Sequence, residues 1–277
     1  MSYNVSVSTL YIVATPIGNM EDISLRALRV LKEVKLIAAE DTRKTKRLLT
    51  HYDIKTPLTS YYEHNKLHKL EEIIRRLEEG DIALVSDAGM PGISDPGYEL
   101  VATAIERGFQ VVPIPGPSAI VAALAVSGLP TDKFCFLGFL PNRKSARCKL
   151  LEHVAAEKSS LIVYEAPHRI PESLADMLEI LGDRRIAACR EMTKIHEEIF
   201  RGTISQAIEQ FAQPLGEFTI VIEGNTGKTE KVAVEDIEHR LAALRKAGKS
   251  AKQATTELAK ETGIPKKELY RLWLKQK

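Results

Sequence analysis

Apolar and polar positions change period along this chain in a regular order. Four short apolar runs, LYIVAT, KLIAAE, IALVSD and QVVPIP, lie between Leu10 and Ser127, each separated by stretches of helical spacing. The first helix is expected after Asp22 as N-cap, with Ile23, Ala27, Leu28, Leu31 and Val34 on one stripe. A second runs from Asn65 to Glu79, with Leu67, Leu70, Ile73, Ile74 and Leu77 aligned and Gly80 as its stop. Continuously apolar strands between amphipathic helices predict a largely parallel sheet covered on both faces.

A second α/β unit follows from about Gly128 to Asn225. Its strand candidates are FCFLGF (134–139), SLIVYEA (160–166), RIAACRE (185–191) and EFTIVIEG (217–224), with helices expected between them, including 171–181 and 203–212. The remaining tail reads as helices only: VEDIEHRLAALRKAG with Gly248 as C-cap, AKQATTELAKETG capped by Ser250, and IPKKELYRLWLK with Pro265 in its first turn. Helices joined by a short Gly-containing turn predict a helix-turn-helix or a small helical bundle. The expected division is therefore 1–127, 128–225 and 226–277, two consecutive α/β domains with a cleft between them and a small helical domain.

Charge sharpens the last boundary. The net charge is +2, but Thr226–Lys277 holds thirteen Lys and Arg against seven Asp and Glu, leaving 26 basic and 30 acidic residues elsewhere. A basic module on a mildly acidic body suggests a polyanion as partner, with a solvated Lys-rich surface as the bland alternative. The chain is 44% hydrophobic and 27% charged, without an apolar run long enough to cross a membrane. MSYNVSVSTL lacks the basic start and apolar stretch of a signal peptide. Cys135, Cys148 and Cys189 are odd in number and form no CxxC pair, as expected for reduced thiols in a cytoplasmic protein.

Chemistry concentrates in four loops: VATPIGNM (13–20), AAEDTRKT (38–45), LVSDAGMPGISDPG (84–97) and PIPGPSAI (113–120). Strand ends of an open α/β sheet share one crevice, and Gly lets backbone approach a ligand there. GKS (248–250) and GKT (227–229) lack the earlier Gly of a phosphate loop, having Ala243 and Ile222 in its place. GxGxxG and a Gx-Ser-xG elbow are also missing. His64 and His68 have helical spacing but no third ligand, so no metal is expected. Asp87 and Asp95 suit ribose hydroxyls or an ammonium group, or alternatively cap their own turns. Ser118 opens a helix, where free N–H groups favour a carboxylate or ring acceptors. Such a site fits S-adenosylmethionine better than ATP.

The segments TPIGNMEDIS, AAEDTRKTKRLL, LVSDAGMPGISDPG, PIPGPSAI, LGFLP and YEAPHRI resemble, in order and spacing, the tetrapyrrole-methylase superfamily, and more closely its ribosomal RNA branch. The resemblance covers about Leu10 to Gly224, and the tail is similar to the small helical domain of that branch. Tetrapyrrole enzymes usually carry a GxGPG-type first loop, whereas this chain has TPIGN.

The resemblance implies S-adenosyl-L-methionine in the cleft between two α/β domains, a homodimer, and 2′-O-methylation of a decoding-centre cytidine in 16S rRNA, within the small ribosomal subunit. The donor would meet Pro16, Ile17, Asp87, Gly89, Met90, Ile93, Ser94, Asp95, Ser118 and Ala119, with Tyr164 and Phe218 closing the site from the second domain. Pro16, Ile17 and Ala119 have loop packing as their alternative role.

Methyl transfer to a hydroxyl is an in-line displacement that gains most from positioning, with a base helping to remove the proton. Glu165, Glu191 and Lys194 are the candidate bases, and an ion pair is the alternative for the last two. RNA phosphates are expected on Arg43, Lys44, Lys46 and Arg47, on Arg143, Lys144 and Arg147, and on His168 and Arg169. Two other functions remain open: a methylase of a tetrapyrrole or other small molecule on the same fold, and a non-catalytic nucleic-acid-binding protein.

Overall fold

The computed structural model describes residues 8–63, 66–227, 234–262 and 266–275. Residues 1–7, His64, Asn65, Lys228, Thr229 and Pro265 lie outside the described residues. Two compact units are present, Met1–Gly224 and Asn225–Lys277.

In the first unit, β1 (Thr9–Val13), α1 (Leu25–Glu33), β2 (Leu36–Ala39), α2 (Thr42–His51), β3 (Leu58–Ser60), α3 (Lys66–Glu78), β4 (Ile82–Val85), α4 (Tyr98–Glu106) and β5 (Gln110–Ile114) build the first lobe. Its sheet is parallel throughout, in the order β3-β2-β4-β1-β5. The apolar runs follow from burial on both faces. In β4, Ala83 and Val85 face α1 and α2, while Ile82 and Leu84 face α3 and α4. Asp22 does not cap α1; it ends a separate short 3₁₀ turn, and the Ser24 side chain accepts the Ala27 N–H at 3.1 Å. Ser24 wins because its hydroxyl lies three residues before that amide, the reach of an N-cap. β3, three residues long and only half-buried, has too little apolar pattern to stand out in the sequence.

The chain then forms α5 (Ala119–Ser127), β6 (Phe134–Phe139), α6 (Lys144–Val154), β7 (Ser160–Glu165), α7 (Ile170–Leu181), β8 (Arg185–Arg190), β9 (Glu198–Thr203), α8 (Ile204–Gln210) and β10 (Phe218–Ile222). The second sheet is mixed, β6-β7-β10-β8-β9, with only β6 and β7 parallel. α5 buries one face, where Ile120, Ala123 and Leu124 pack on Ile162, Ala187, Cys189 and Val221 of this sheet, and leaves Val121 and Val126 exposed on the other. Thr203 and Gln206 form a reciprocal capping box that starts α8.

Arg147, on α6, is 2% exposed and points inward. Its Nε donates to Asp176 at 2.7 Å, its Nη1 reaches the carbonyls of Pro141 and Asn142, and its Nη2 lies 3.6 Å from Glu172. This corrects the expectation that Arg147 meets RNA: the side chain fastens α6 to α7.

The second unit contains α9 (Val234–Lys246), α10 (Ala251–Thr262) and α11 (Lys266–Lys275) around Ile237, Leu241, Ala254, Leu258, Leu269 and Trp273. Gly248, at φ +78°, closes α9, and Ser250 with Gln253 caps α10. Arg245 stacks over the Trp273 ring at 4.7 Å.

Removing one partner of a buried ion pair costs about 3–5 kcal/mol, and here Asp176 would keep only the exposed Lys144, at 3.3 Å, which sets the low end of that range. Arg147→Ala is therefore expected to lower the unfolding free energy in urea by about 3 kcal/mol. A loss below about 1 kcal/mol, as for an exposed arginine, would contradict the inward role.

Candidate active site between the two sheets

The loops after β1, β4 and β5 meet at one end of the first sheet. Thr15 and Gly89 exchange two main-chain hydrogen bonds of 2.9 Å, and the Thr15 hydroxyl donates to the Ser86 carbonyl at 3.1 Å. The Ala14 N–H donates to Ile114 at 3.2 Å, prolonging β1 against β5. Gly89 has φ +82°, and a Cβ there would lie 3.6 Å from Ile17 and 3.7 Å from the Pro117 carbonyl. Three of the loops singled out by sequence thus share one point, bringing Pro16, Ile17, Gly89 and the start of α5 together. The Ser118 hydroxyl forms no cap on its own helix.

Acidic groups line the same end. The Asp87 carboxylate accepts the Asp41 N–H at 3.0 Å and the Lys44 ammonium at 2.7 Å, tying the loop after β2 to the loop after β4. Glu40, which the sequence reading did not single out, accepts the Asp87 N–H at 3.2 Å, and burial raises its carboxyl pKa. Its only signal was its place inside AAEDTRKT. Asp95 is pushed up to about 7, mainly by burial and then by the charge of Glu40, against a hydrogen bond from Ser86. Ser94 beside it holds φ +63°, a conformation costly for a side chain and common at ligand-binding turns. Ile93 is 47% exposed, whereas Met90 tucks against the first lobe's core.

The second sheet brings Tyr164 to this place. Phe136 and Phe139 stack against its ring at 5.0 and 5.4 Å, and burial with the charge of Asp95 lifts its hydroxyl to about 12. A break in the β6–β7 register leaves Gly138 at φ +69°, where a Cβ would sit 3.3 Å from Ser94 Oγ. Both phenylalanines were visible in FCFLGF, but their alternation was masked by this irregularity.

Phe218 does not join the site. It pairs with Glu165, one register step from the Tyr164–Thr219 pair, so strand alternation sends it to the opposite face. There it is 2% exposed and stacks on Phe211 at 5.1 Å. Glu165 shares that face. Its carboxylate accepts the Ala166 N–H at 2.9 Å and the Ser173 hydroxyl at 2.5 Å, and it pairs with Arg169 at 3.3 Å. Those partners make it a brace for the APHR turn, a correction to its candidacy as a base.

The turn after β8 reaches the first lobe. A Cβ on Gly18 would lie 2.5 Å from Lys194 Cγ and 2.8 Å from the Met192 carbonyl. Lys194 donates to Glu191 and to Glu217, both at 2.9 Å, and Glu217 N–H donates to Glu191 at 2.8 Å. Burial opposes the charge of Lys194, but these two carboxylates outweigh it and hold its pKa above the ordinary value. The same contact from Lys194 holds Glu191 below the usual carboxylate range. Glu191 and Thr193 adopt φ of +51° and +66°, so the ion pair sits on a tight, strained turn.

Basic candidates divide by exposure. Arg43, Lys46, Arg47, Arg143, Lys144 and His168 are exposed, Lys144 in a pair with Asp176. Lys44 is turned toward Asp87, and Arg169 is mostly buried against Glu165, Leu140 and Asn142. Arg169 therefore departs from the expectation of a phosphate contact, for the same reason as Arg147. Among the described residues no three His, Cys, Asp or Glu side chains converge as a metal-holding group. No helix among them is long and apolar enough to cross a membrane.

Residues 9–208 match the family model of tetrapyrrole (corrin/porphyrin) methylases, and residues 231–277 match that of the RsmI C-terminal HTH domain. A ribosomal RNA small subunit methyltransferase I from Halalkalibacterium halodurans is 50% identical over 96% of this chain and 94% of its own length. The protein of that name from Bacillus subtilis is 45% identical over 98% and 96%. Another, from Thermotoga maritima, is 52% identical, the match spanning 98% of that protein but 78% of this chain. Among solved structures, uroporphyrin-III-C-methyltransferase from Thermus thermophilus superposes with TM-score 0.57 at 17% identity, over 78% of this chain and 94% of that one. A cobalt precorrin-4 methyltransferase gives 0.58 at 15%, over 78% and 94%. With the two-sheet fold, the convergent loops and these matches together, the chain belongs to the tetrapyrrole-methylase family, in the branch of the ribosomal RNA small subunit methyltransferases I.

Proposed function

We propose that this chain transfers a methyl group from S-adenosylmethionine to the ribose 2′-hydroxyl of a decoding-centre cytidine in 16S rRNA, acting as a homodimer on the small ribosomal subunit. The observation that carries the reading is the near-full-length identity to proteins named for methylating small-subunit rRNA, on a chain whose cleft suits an adenosyl sulfonium. The facing loops offer the partly buried Ile17, Met90, Ala119 and Tyr164, the exposed Ile93, a Gly-lined approach at Gly18 and Gly89, and the Ser118 hydroxyl, which makes no cap. Carboxylates rather than a cationic phosphate cradle face the cleft, which fits a ligand carrying positive charge.

In this reading Pro16, Ile17, Gly89, Met90, Ile93, Ser94, Ser118, Ala119 and Tyr164 hold the donor, and Asp95 meets its ammonium or ribose. Asp87 shapes the loop through Asp41 and Lys44. The bound donor supplies an electrophilic methyl on a sulfonium. The protein aligns the 2′-oxygen with that methyl, and alignment alone can supply several kcal/mol of the barrier. Lys194, kept cationic by Glu191 and Glu217, favours the developing negative charge on the 2′-oxygen, while the hydroxyl proton leaves to solvent. Lys194 with Glu191 thus assists electrostatically instead of accepting the proton.

Incubating the protein with methyl-labelled donor and small subunits, then digesting the rRNA to nucleosides, is expected to place label on a 2′-O-methylcytidine. Label on a base, or on a porphyrin-type substrate without RNA, contradicts the proposal and favours a small-molecule methylase. A protein that binds RNA without binding donor would be a non-catalytic nucleic-acid-binding protein.

Asp95 gives a pH dependence. Its carboxyl is raised to about 7, so the unliganded fold loses stability as pH rises through that value. A cationic donor needs the ionised form. Donor affinity should rise by up to about tenfold per pH unit below pH 7, level off above it, and be accompanied by proton release. Calorimetry in buffers of different ionisation enthalpy measures both, and Asp95→Asn should abolish the slope. A flat profile in the wild type contradicts the assignment.

A further inference from the structure

The lobe that carries Asp87 has a second feature, away from the cleft. A groove of about 790 Å³ runs between α2 and the edge strand β3. Arg43, Lys46 and Lys55 line it with the hydroxyl-bearing Thr50, Thr56 and Thr59, and no acidic side chain lines it. Leu49, Ile54 and Leu58 line its floor, the first two almost fully buried and Leu58 half-buried, so the apolar surface it offers is narrow. A shallower depression continues from it, sharing Lys55 and Thr56 and adding Lys32 and Lys35, with Asp53 as its one carboxylate. Lys46 and Lys32 are exposed and form no ion pair among the described residues; the Lys55–Asp53 pair, at 3.8 Å, is almost fully exposed and weak, and Arg43 pairs with Asp41 at 2.7 Å while its side chain stays 88% exposed, within reach of a phosphate.

We infer that this groove is a track for single-stranded RNA, with phosphates on Arg43, Lys46, Lys55 and Lys32, and with bases or riboses against the narrow apolar floor. Cations spaced along a narrow trough with neutral hydroxyl donors between them suit a flexible sugar-phosphate chain. A duplex would present phosphates on a convex surface and leave the floor uncovered. The position supports the assignment. α2 begins at Thr42, one residue after Asp41, whose N–H holds Asp87 at the cleft. Ten residues of helix span about 15 Å, so the track leads from the donor site to the far end of the lobe. Charge and geometry therefore direct substrate RNA past the cleft along one face. This inference rests on the rRNA reading proposed above and adds Lys32 and Lys55 to its contacts.

The test is charge reversal. Lys46→Glu/Lys55→Glu is compared with Lys133→Glu/Lys158→Glu, which reverses two exposed lysines outside the groove. Three measurements are made: donor affinity by calorimetry, affinity for a single-stranded oligoribonucleotide of small-subunit sequence at several salt concentrations, and methylation of small subunits. The groove variant should keep donor affinity and bind the oligonucleotide about tenfold or more weakly, with its salt slope reduced by about 1.4, the value for two lost phosphate contacts. Its methylation defect should appear in KM and be relieved at high subunit concentration. Unchanged RNA affinity and slope overturn the inference, as does an equal loss in the control variant. A changed oligomeric state with RNA affinity intact gives the groove to a protein partner and also overturns it. If the wild type methylates no RNA, the rRNA reading itself fails; if it does and the groove variant is unaffected, only the track fails.

Discussion

Two reciprocal main-chain hydrogen bonds between Thr15 and Gly89 are the constraint on which the rest of the site depends. They join the loop after β1 to the loop after β4, so both must take one shape. Gly89 can do so because φ +82° is open to glycine at little cost, whereas any other residue would be strained there even though Ile17 and Pro117 leave room for a Cβ. Once the clip is made, Ser86 is held by Thr15, Asp87 is positioned to take the Asp41 amide and the Lys44 ammonium, and Asp95 lies in the partly buried acidic corner. The electrostatics of the corner follow from this backbone arrangement. Burial and mutual repulsion raise the carboxyls of Glu40 and Asp95 beside Asp87, and a positively charged ligand would relieve both effects.

The second lobe completes the cleft through two close approaches that need the absence of a side chain. Gly18 lies against Met192, Thr193 and Lys194, and Gly138 lies against Ser94. The strained turn at 191–194 is kept in place by the Glu191–Lys194–Glu217 cluster, so an ion pair serves here to hold backbone at a contact between lobes. α5, the first element after β5, packs on the second sheet and so ties the first lobe's last loop to the second lobe.

Much of this was legible in the sequence, for identifiable reasons. The parallel sheet could be read because strands buried on both faces are continuously apolar, and the four loops stood out because Gly, Pro, Asp and Ser cluster at their ends. β3 and β9 were missed: the first is short and half-buried, and the second carries intermediate exposure along nearly its whole length. Errors at single residues have one origin, the direction in which a side chain points. Phe218 and Glu165 lie at the right strand ends but on the wrong face, and a one-residue step decides that. Arg147 and Arg169 read as surface cations because sequence does not reveal that Asp176 and Glu165 wait inside the fold to neutralise them.

The central claim is that the space between the lobes is the donor site, and Gly18 is the place to challenge it without touching a carboxylate. Titration of S-adenosylmethionine into wild-type protein and into Gly18→Val, with folding of both checked by circular dichroism, tests it directly. The account predicts one donor bound per chain in the wild type and at least about tenfold weaker binding in the variant, as a branched side chain is forced against Met192 and Lys194. Equal affinities in two folded proteins, or no binding heat in the wild type, would contradict it.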